Sequence, residues 1–106
     1  MSAGAAVPAD AIRLTPHDTV ATVLRPVAAG ERVRVRCDTE VEALIATEAV
    51  PLCHKIGLVA HRAGEPVRKY GEVIGEATVP IASGAHVHVH NMRSRRGRGI
   101  TPGPAA

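Results

Sequence analysis

Alternation of apolar and polar side chains is the clearest pattern in this chain. The segments Val33–Cys37 and His86–His90 both change character at every residue. A period of two is typical of a β-strand that buries one face. Short β-branched runs bounded by glycine, at Ile56–Val59 and Val73–Ile74, predict further strands. The pattern as a whole indicates a domain built from short strands.

A glycine-containing motif recurs three times along the same part of the chain. Its copies occupy residues 25–33, 60–67 and 79–87, and each has a glycine followed three residues later by a valine. The motif predicts a strand, a tight turn with Gly30, Gly64 or Gly84 at positive φ, and a second strand. Such regular punctuation favours a compact, hairpin-rich all-β domain.

The segment Glu40–Val50 is the one ambiguous part of the pattern. Val41, Leu44 and Ile45 stand at helical spacing, but Pro51 follows closely and the flanking segments have the character of strands. We therefore expect a strand in this segment.

The two ends of the chain lack any periodic pattern. Residues 1–11 are rich in Ala, Gly and Pro, and residues 92–106 are rich in Gly, Pro and Arg. Both compositions are typical of disordered segments. The folded domain is therefore predicted to span residues 12–91.

Composition narrows the kind of core that this domain can build. The 106 residues fit one domain, and they include no Phe, no Trp and a single Tyr. The core is therefore expected to be aliphatic, with Tyr70 as its best single packing group. Because aromatic rings normally supply the largest buried areas, such a small domain is expected to need a partner subunit or to self-associate.

The net charge of +3 comes from the C-terminal tail. Four of the 13 basic residues, all arginines, lie at positions 93–98. The rest of the chain has nine basic and ten acidic residues, a net charge of about −1. A nucleic-acid-binding face is therefore not predicted, and the tail is interpreted as a solvated extension. No apolar run approaches the roughly 20 residues that span a bilayer. Two cysteines without a C-x-x-C motif, and no signal-peptide pattern, predict a cytoplasmic protein with reduced thiols.

Histidine carries the strongest candidate chemistry. On a strand, His86, His88 and His90 project from one face, with neighbours about 6.6 Å apart, close enough for two imidazoles to share a metal ion. The outer pair, about 13 Å apart, cannot share an ion unless the strand bends. The tightest metal hypothesis is therefore one adjacent pair completed by His54 or by a partner chain. The alternative is a solvent-facing strand face without a metal.

Two lysines and the only tyrosine are further candidates. Lys55 follows His54 at the start of a predicted strand, where it can hold a carboxylate or protect a strand edge from aggregation. Lys69 and Tyr70 are adjacent, with core packing as the alternative role for the ring. A Cys53–His54 nucleophile pair is not favoured, because adjacent strand residues point to opposite faces.

Several of these residues belong to a series of short motifs, in one order and spacing, between Pro51 and Asn91. They are His54-Lys55-Ile56, Gly64-Glu65-Pro66-Val67, Lys69-Tyr70-Gly71, Ile74-Gly75 and the run from Gly84 to Asn91. In this arrangement the chain resembles the SAF domain of altronate and galactarate dehydratases. Cys53 departs from that family's pattern, which usually has glycine before the His-Lys pair.

The resemblance implies a β-clip fold and a lyase activity. The expected reaction is removal of water from a sugar acid such as altronate or galactarate, giving a 2-keto-3-deoxy acid, with a divalent metal such as iron. The implied catalytic residues are His54, Lys55, Lys69, Tyr70 and His88. The implied substrate-binding residues are Lys55 and Asn91, and the implied metal ligands are His86, His88 and His90.

The resemblance also implies a partner. Some members of the family, including sulfolactate sulfo-lyases, are split into a small and a large subunit, and this chain is similar to such a small subunit. It is expected to be inactive without the large catalytic subunit. The alternatives are a related sulfolactate sulfo-lyase-like subunit and a non-catalytic module that binds carbohydrate or protein.

Overall fold

The computed structural model describes residues 9–94, and they form two β-sheets. The strands are β1 (Ala11–Ile12), β2 (Val20–Val23), β3 (Arg32–Cys37), β4 (Glu40–Ile45), β5 (Lys55–Gly57), β6 (Pro66–Lys69), β7 (Glu72–Ala77), β8 (His86–Val87) and β9 (Met92–Ser94). No residue in this range is helical, so the all-β prediction is confirmed there. The described residues accordingly contain no helix of the length and hydropathy that a membrane crossing requires.

The larger sheet has six strands in the order β4-β3-β1-β2-β5-β8. Its pairs are antiparallel except for β1 with β3, which run parallel. The smaller sheet has the order β9-β7-β6 and is antiparallel throughout. Strand β5 therefore lies inside the larger sheet, between β2 and β8, and Lys55 does not guard an edge.

The three glycine motifs form three equivalent turns. Gly30, Gly64 and Gly84 have φ angles of 87°, 90° and 89°, as the motif predicts. In each copy the residue after the glycine donates its backbone N–H to the carbonyl three residues earlier, at 3.0–3.1 Å. This left-handed region is unfavourable for residues with a Cβ atom, and glycine adopts it without strain. The turn therefore explains why glycine recurs in the motif.

The core is aliphatic, as the composition predicts. One cluster is built on β1, β2, β3 and β5, and includes Val23, Val33 and Ile56; a second joins the two sheets and includes Val20, Val67 and Val87. Strand β2 contributes Val20 to the second cluster and Ala21 and Val23 to the first, because side chains on a strand alternate between its faces. Tyr70 belongs to neither cluster and is 55% exposed, so the expectation that its ring packs in the core is wrong.

The boundaries of the folded part differ from the prediction at both ends. Asp10, assigned to the disordered lead, is buried and accepts hydrogen bonds from the backbone N and Nε of Arg34 and from Nε of Arg25, at 2.8–3.1 Å. The Arg34 hydrogen bond is the main reason that the pKa of Asp10 falls to about 2. Residues Met92–Ser94, assigned to the tail, form strand β9. Ala11, also assigned to the lead, begins strand β1, and residues 1–8 and 95–106 lie outside the described residues.

Two internal strands can also be compared with their predicted extent. Glu40–Ile45 forms β4, so the strand expected in the ambiguous segment is confirmed for those residues. The run Ile56–Val59 is a strand only as far as Gly57, because Leu58 and Val59 bend toward the second glycine turn.

Gly84 offers a direct test of this architecture. A Cβ there would overlap the carbonyl oxygen of Ile45, whereas a Cβ on Gly30, at nearly the same φ, meets nothing within 4 Å. Gly30→Ala should cost about 1 kcal/mol for the left-handed conformation alone. Gly84→Ala should cost about 2 kcal/mol more, because it adds overpacking. Urea unfolding of both variants measures the difference, and equal losses of stability would contradict the packing described.

Candidate active site

The candidate histidines meet because of one strand register. In the antiparallel pair of β5 and β8, Lys55 lies opposite Val87 and Ile56 lies opposite His86. The residue before β5 and the residue after β8 are therefore opposite each other as well. These residues are His54 and His88, which are 34 positions apart in the sequence.

The rings of His54, His86 and His88 form a compact cluster. Nδ1 of His54 lies 2.8 Å from Nε2 of His86, which is hydrogen-bond distance. The ring centroids of His54 and His88 are 4.2 Å apart, and those of His86 and His88 are 5.5 Å apart. One nitrogen from each of the three rings lies within 4.8 Å of the others. We call this group the histidine cluster.

The cluster differs from the arrangement predicted for the alternating histidines. Strand β8 ends at Val87, and Val89 and His90 lie in a turn, so the three alternating rings do not project from one face of a strand. The turn brings the ring of His90 to 5.1 Å from that of His86, but His90 is outside the three-residue group. His54 takes its place, as the hypothesis of an adjacent pair completed from elsewhere allowed.

Burial and crowding favour the neutral form of two rings in the cluster. Burial is the main cause that lowers the pKa of His86, with smaller contributions from His54, His90 and His88, while the charge of Glu48 opposes the shift. Burial also lowers the pKa of His88, and the charges of His54 and Lys55 add to the effect. Neutral imidazoles have a free lone pair, which is the form that binds a metal or accepts a proton.

The donor set fits a divalent metal ion. Imidazole nitrogens on one ion lie about 3.0–3.4 Å apart, since each metal–nitrogen bond is about 2.1 Å. The bonded nitrogens of His54 and His86 are 2.8 Å apart, and one nitrogen from each of the three rings lies within 4.8 Å of the others. Small side-chain rotations bring these nitrogens to the spacing that one ion requires. Three nitrogen ligands leave coordination positions for substrate, as in catalytic sites. Imidazole suits iron and several other transition metals, so the expectation of iron stays a prediction.

A small cavity contains the two candidate lysines and the tyrosine. It has a volume of about 230 Å³ and is lined by Lys55, Lys69, Tyr70, Ile74, Met92 and Ser94. Lys55 connects this cavity to the cluster, because it lines the cavity and its charge is close enough to lower the pKa of His88. The fold therefore brings the histidines, the lysines and the tyrosine into one region, although they come from three separate segments.

The two ammonium groups of the cavity have no carboxylate counterion among the described residues. Burial lowers the pKa of Lys55 and the charge of Lys69 lowers it further, while Tyr70 opposes the shift. Like charges held together in a partly buried space favour binding of an anion, because an anion relieves their repulsion. A carboxylate is the anion that the sequence reasoning assigned to Lys55.

Asp18 holds the cavity's tyrosine in place and was not identified from the sequence. Tyr70 and Gly71 both have positive φ, at 57° and 76°, and form the two-residue turn between β6 and β7. The buried carboxylate of Asp18 accepts the backbone N–H of Gly71 at 2.8 Å and also the hydroxyl of Thr15. Nothing in the local sequence indicates a bond between residues 53 positions apart.

Asn91 has a different environment from the one expected of a substrate-binding residue. Its amide is buried, accepts the backbone N–H of His88 and donates to the backbone carbonyl of His86. The substrate-binding role stays a prediction. Both hydrogen bonds of the Asn91 side chain are made to backbone groups of the histidine turn.

Comparison with protein families now identifies the domain. The model of the altronate/galactarate dehydratase SAF domain matches residues 9–95, most of the chain. The chain belongs to this SAF domain family. The match includes Asp10 and strand β9, in agreement with the folded boundaries described above.

The SAF domain has relatives of two kinds. It is 42% identical over 53 residues to the (2R)-sulfolactate sulfo-lyase subunit alpha of Paracoccus pantotrophus, covering half of this chain and 79% of that subunit. It is 37% identical over 83 residues to the altronate dehydratase of Escherichia coli, covering 78% of this chain but 16% of that enzyme. The altronate dehydratase of Bacillus subtilis is 32% identical over 84 residues, with the same coverage. The chain thus spans about a sixth of the length of these dehydratases.

The backbone conformation of Cys53 explains why the family usually has glycine at this position. Its φ is 70°, in the left-handed region that glycine adopts without strain. The cysteine is exposed in the turn before His54, and its amide donates to the carbonyl of Val23 at 3.1 Å. The left-handed φ of Cys53 is therefore one that the family's usual glycine adopts without strain.

Metal titration tests the histidine cluster directly. Replacement of His54, His86 or His88 by Ala should weaken Co²⁺ binding at least about tenfold, since even an outer-shell partner is worth that much. His17→Ala, which removes an exposed histidine of another loop, should leave the affinity unchanged. Calorimetry and the Co²⁺ absorption spectrum measure both. A His54→Ala variant that binds Co²⁺ as tightly as the parent chain would contradict the cluster as a metal centre.

Proposed function

We propose that this SAF domain is the small subunit of a two-component lyase that removes water from a sugar acid such as altronate or galactarate. The observation that carries the proposal is the position of the histidine cluster beside a cavity with two lysines that have no described carboxylate partner. A metal-binding group and a carboxylate-binding group side by side match the two ends of a 2,3-dihydroxy acid.

The comparisons support a lyase composed of more than one chain or domain. Both kinds of relative are named as lyases or dehydratases, and the sulfo-lyase relative is named as a subunit. In our proposal the rest of the active site lies on a large catalytic subunit. The cavity of about 230 Å³ is too small to enclose a six-carbon acid together with a metal ion, which agrees with an incomplete site.

The lysines bind the substrate in this proposal. The ammonium groups of Lys55 and Lys69 hold the carboxylate as two point charges, and the half-buried position of Lys55 strengthens the attraction. Since the charge of Lys55 reaches His88, the carbon beside the carboxylate then faces the histidine cluster in this proposal. Tyr70, at the rim, has a phenolic hydroxyl able to bond a substrate hydroxyl.

The reaction requires a base and an acid. A base removes the proton beside the carboxylate, the C–H electron pair forms the enol double bond, and the adjacent C–O bond breaks as hydroxide leaves and is protonated to water. The enol then tautomerises to the 2-keto-3-deoxy acid. A divalent ion, when bound, supplies electrostatic stabilisation of the developing negative charge.

Within the cluster, His88 is the ring closest to His54 and the one on which the charge of Lys55 acts. It stacks on His54 at 4.2 Å and is close enough to Lys55 for that charge to lower its pKa. Its neutral ring serves the reaction either as a ligand or as a proton acceptor. His86 and His54 complete the nitrogen donor set, and His90 lies beside His86 at the exposed rim.

The exposed rim of the site also supports a partner subunit. Val89, between His88 and His90, is 79% exposed, and Tyr70 is 55% exposed. Exposed apolar side chains around a polar site are typical of a surface that another protein covers. We therefore place the large subunit over the histidine turn, where it closes the site.

A sulfolactate sulfo-lyase-like subunit is the second candidate. It is favoured by the coverage of the sulfo-lyase relative, 79% against 16% of the dehydratases. Its substrate also has a carboxylate beside a hydroxylated carbon, so the same lysines and histidines apply. Activity toward sulfolactate and none toward altronate or galactarate would decide for it. A non-catalytic carbohydrate-binding module, the third alternative, predicts ligand binding that survives loss of His88.

The first test of the proposal is His88→Ala in the assembled enzyme. The chain is co-purified with its large partner, and dehydration of altronate and galactarate is measured with added Fe²⁺. The variant should lose at least about a hundredfold in kcat, because a positioned acid–base group or ligand supplies that much. His17→Ala is the matched control. A His88→Ala complex that keeps the full rate would show that the histidine cluster has no part in the reaction.

The second test concerns the docking surface. Val89→Asp should weaken association with the large subunit at least about tenfold, because it buries a charge in the centre of the interface. Val41→Asp, on β4 at the opposite edge of the six-stranded sheet, alters a half-exposed valine away from the site and should bind normally. Size-exclusion chromatography and calorimetry compare the two. Equal affinities would place the large subunit elsewhere.

A further inference from the structure

The backbone that carries His88 has little support from the sheet. Strand β8 pairs with β5 over two residue pairs only, and the chain leaves the sheet after Val87. Residues 88–91 form a bend and a turn that returns the chain to β9. The position of the His88 ring therefore depends on bonds within the turn.

The side chain of Asn91 supplies two of those bonds. Its Oδ1 accepts the backbone N–H of His88 at 2.9 Å, and its Nδ2 donates to the backbone carbonyl of His86 at 2.8 Å. One buried amide thus joins the backbone on both sides of Val87. The carbonyl of His88 is held as well, since it accepts the backbone N–H groups of Asn91 and Met92 at 3.1 and 2.9 Å.

We propose that Asn91 is a positioning residue of the histidine cluster. Its amide sets the distance between the backbones of His86 and His88 and so holds both rings against His54, without itself touching a metal ion. Only an amide side chain of this length offers a donor and an acceptor at once. The inference rests on the proposed function only where metal binding is concerned.

Aspartate is the informative replacement. It has nearly the same shape as asparagine and keeps an acceptor for the N–H of His88. It has no donor for the carbonyl of His86, and it places a carboxylate oxygen against that carbonyl at about hydrogen-bond distance. Asn91→Asp therefore breaks one side of the bridge while preserving the volume of the buried side chain.

The control is Asp10→Asn, an isosteric change at another buried polar side chain. Asp10 contacts Arg25 and Arg34 and none of the histidines. Its replacement weakens two ion pairs and lowers the stability of the domain without altering the histidine turn. It separates a loss of fold stability from a loss of ring position.

Two measurements test the inference on the purified chain. Co²⁺ affinity should fall about tenfold or more in Asn91→Asp, the size usual for an outer-shell partner, and should stay within about threefold in Asp10→Asn. Without metal, proton NMR should detect the hydrogen bond between the His54 and His86 rings in the parent chain and in Asp10→Asn but not in Asn91→Asp. Should Asn91→Asp not fold, Asn91→Ala, which removes both bonds without adding a charge, is measured instead.

The outcomes distinguish this inference from the proposed function. If Asn91→Asp keeps both the Co²⁺ affinity and the ring hydrogen bond, or if Asp10→Asn loses them equally, Asn91 does not position the cluster. If the parent chain binds no Co²⁺ but the ring hydrogen bond depends on Asn91, the positioning role stands and the metal part of the proposed function fails.

Discussion

Two residue pairs between β5 and β8 determine where the candidate chemistry lies. Lys55 opposite Val87 and Ile56 opposite His86 place His54 at the same end of the pair as His88. The neighbouring backbone supports this short ladder, since Gly84 donates to the carbonyl of Gly57 and the Gly57 N–H bonds the carbonyl of Ala85. A shift of one residue would turn His86 to the other face of the sheet and separate the rings. The histidine cluster thus depends on strand pairing more than on the local alternation of histidines.

The domain compensates for a small aliphatic core with buried polar anchors. Its largest fully buried side chain is Ile56, and large aromatic contacts are absent from the described core. Asp10, Asp18 and Asn91 are buried instead, and each joins segments that are separate in the chain or on two sides of a turn. Hydrogen bonds of this kind are directional, so they fix loops in one geometry where apolar contacts would permit several. The two loops that carry the site, at 69–71 and 88–91, are both held in this way.

Charge divides the site into two parts with different roles. Burial and mutual repulsion keep the pKa of His86 and His88 low, so these two rings present neutral nitrogen donors. The neighbouring cavity presents two ammonium groups without a described carboxylate partner. Tyr70, the only tyrosine, is exposed at the rim of this cavity and does not pack in the core. The proposal of a substrate with a carboxylate next to a hydroxylated carbon rests on these two parts.

The sequence by itself determined the local features of this protein. Period-two alternation predicted β3 and the start of the histidine segment, and glycine-bounded β-branched runs predicted parts of β5 and β7. The repeated glycines predicted the three left-handed turns, and the run from His54 to Asn91 indicated the family. Only the tertiary structure decided that β8 ends at Val87, that His54 completes the cluster in place of His90, and that Asn91 faces the backbone. The reason is physical: side-chain periodicity and turn conformation depend on neighbours in the chain. Strand register and the contacts of a buried amide depend on segments that meet only when the chain has folded.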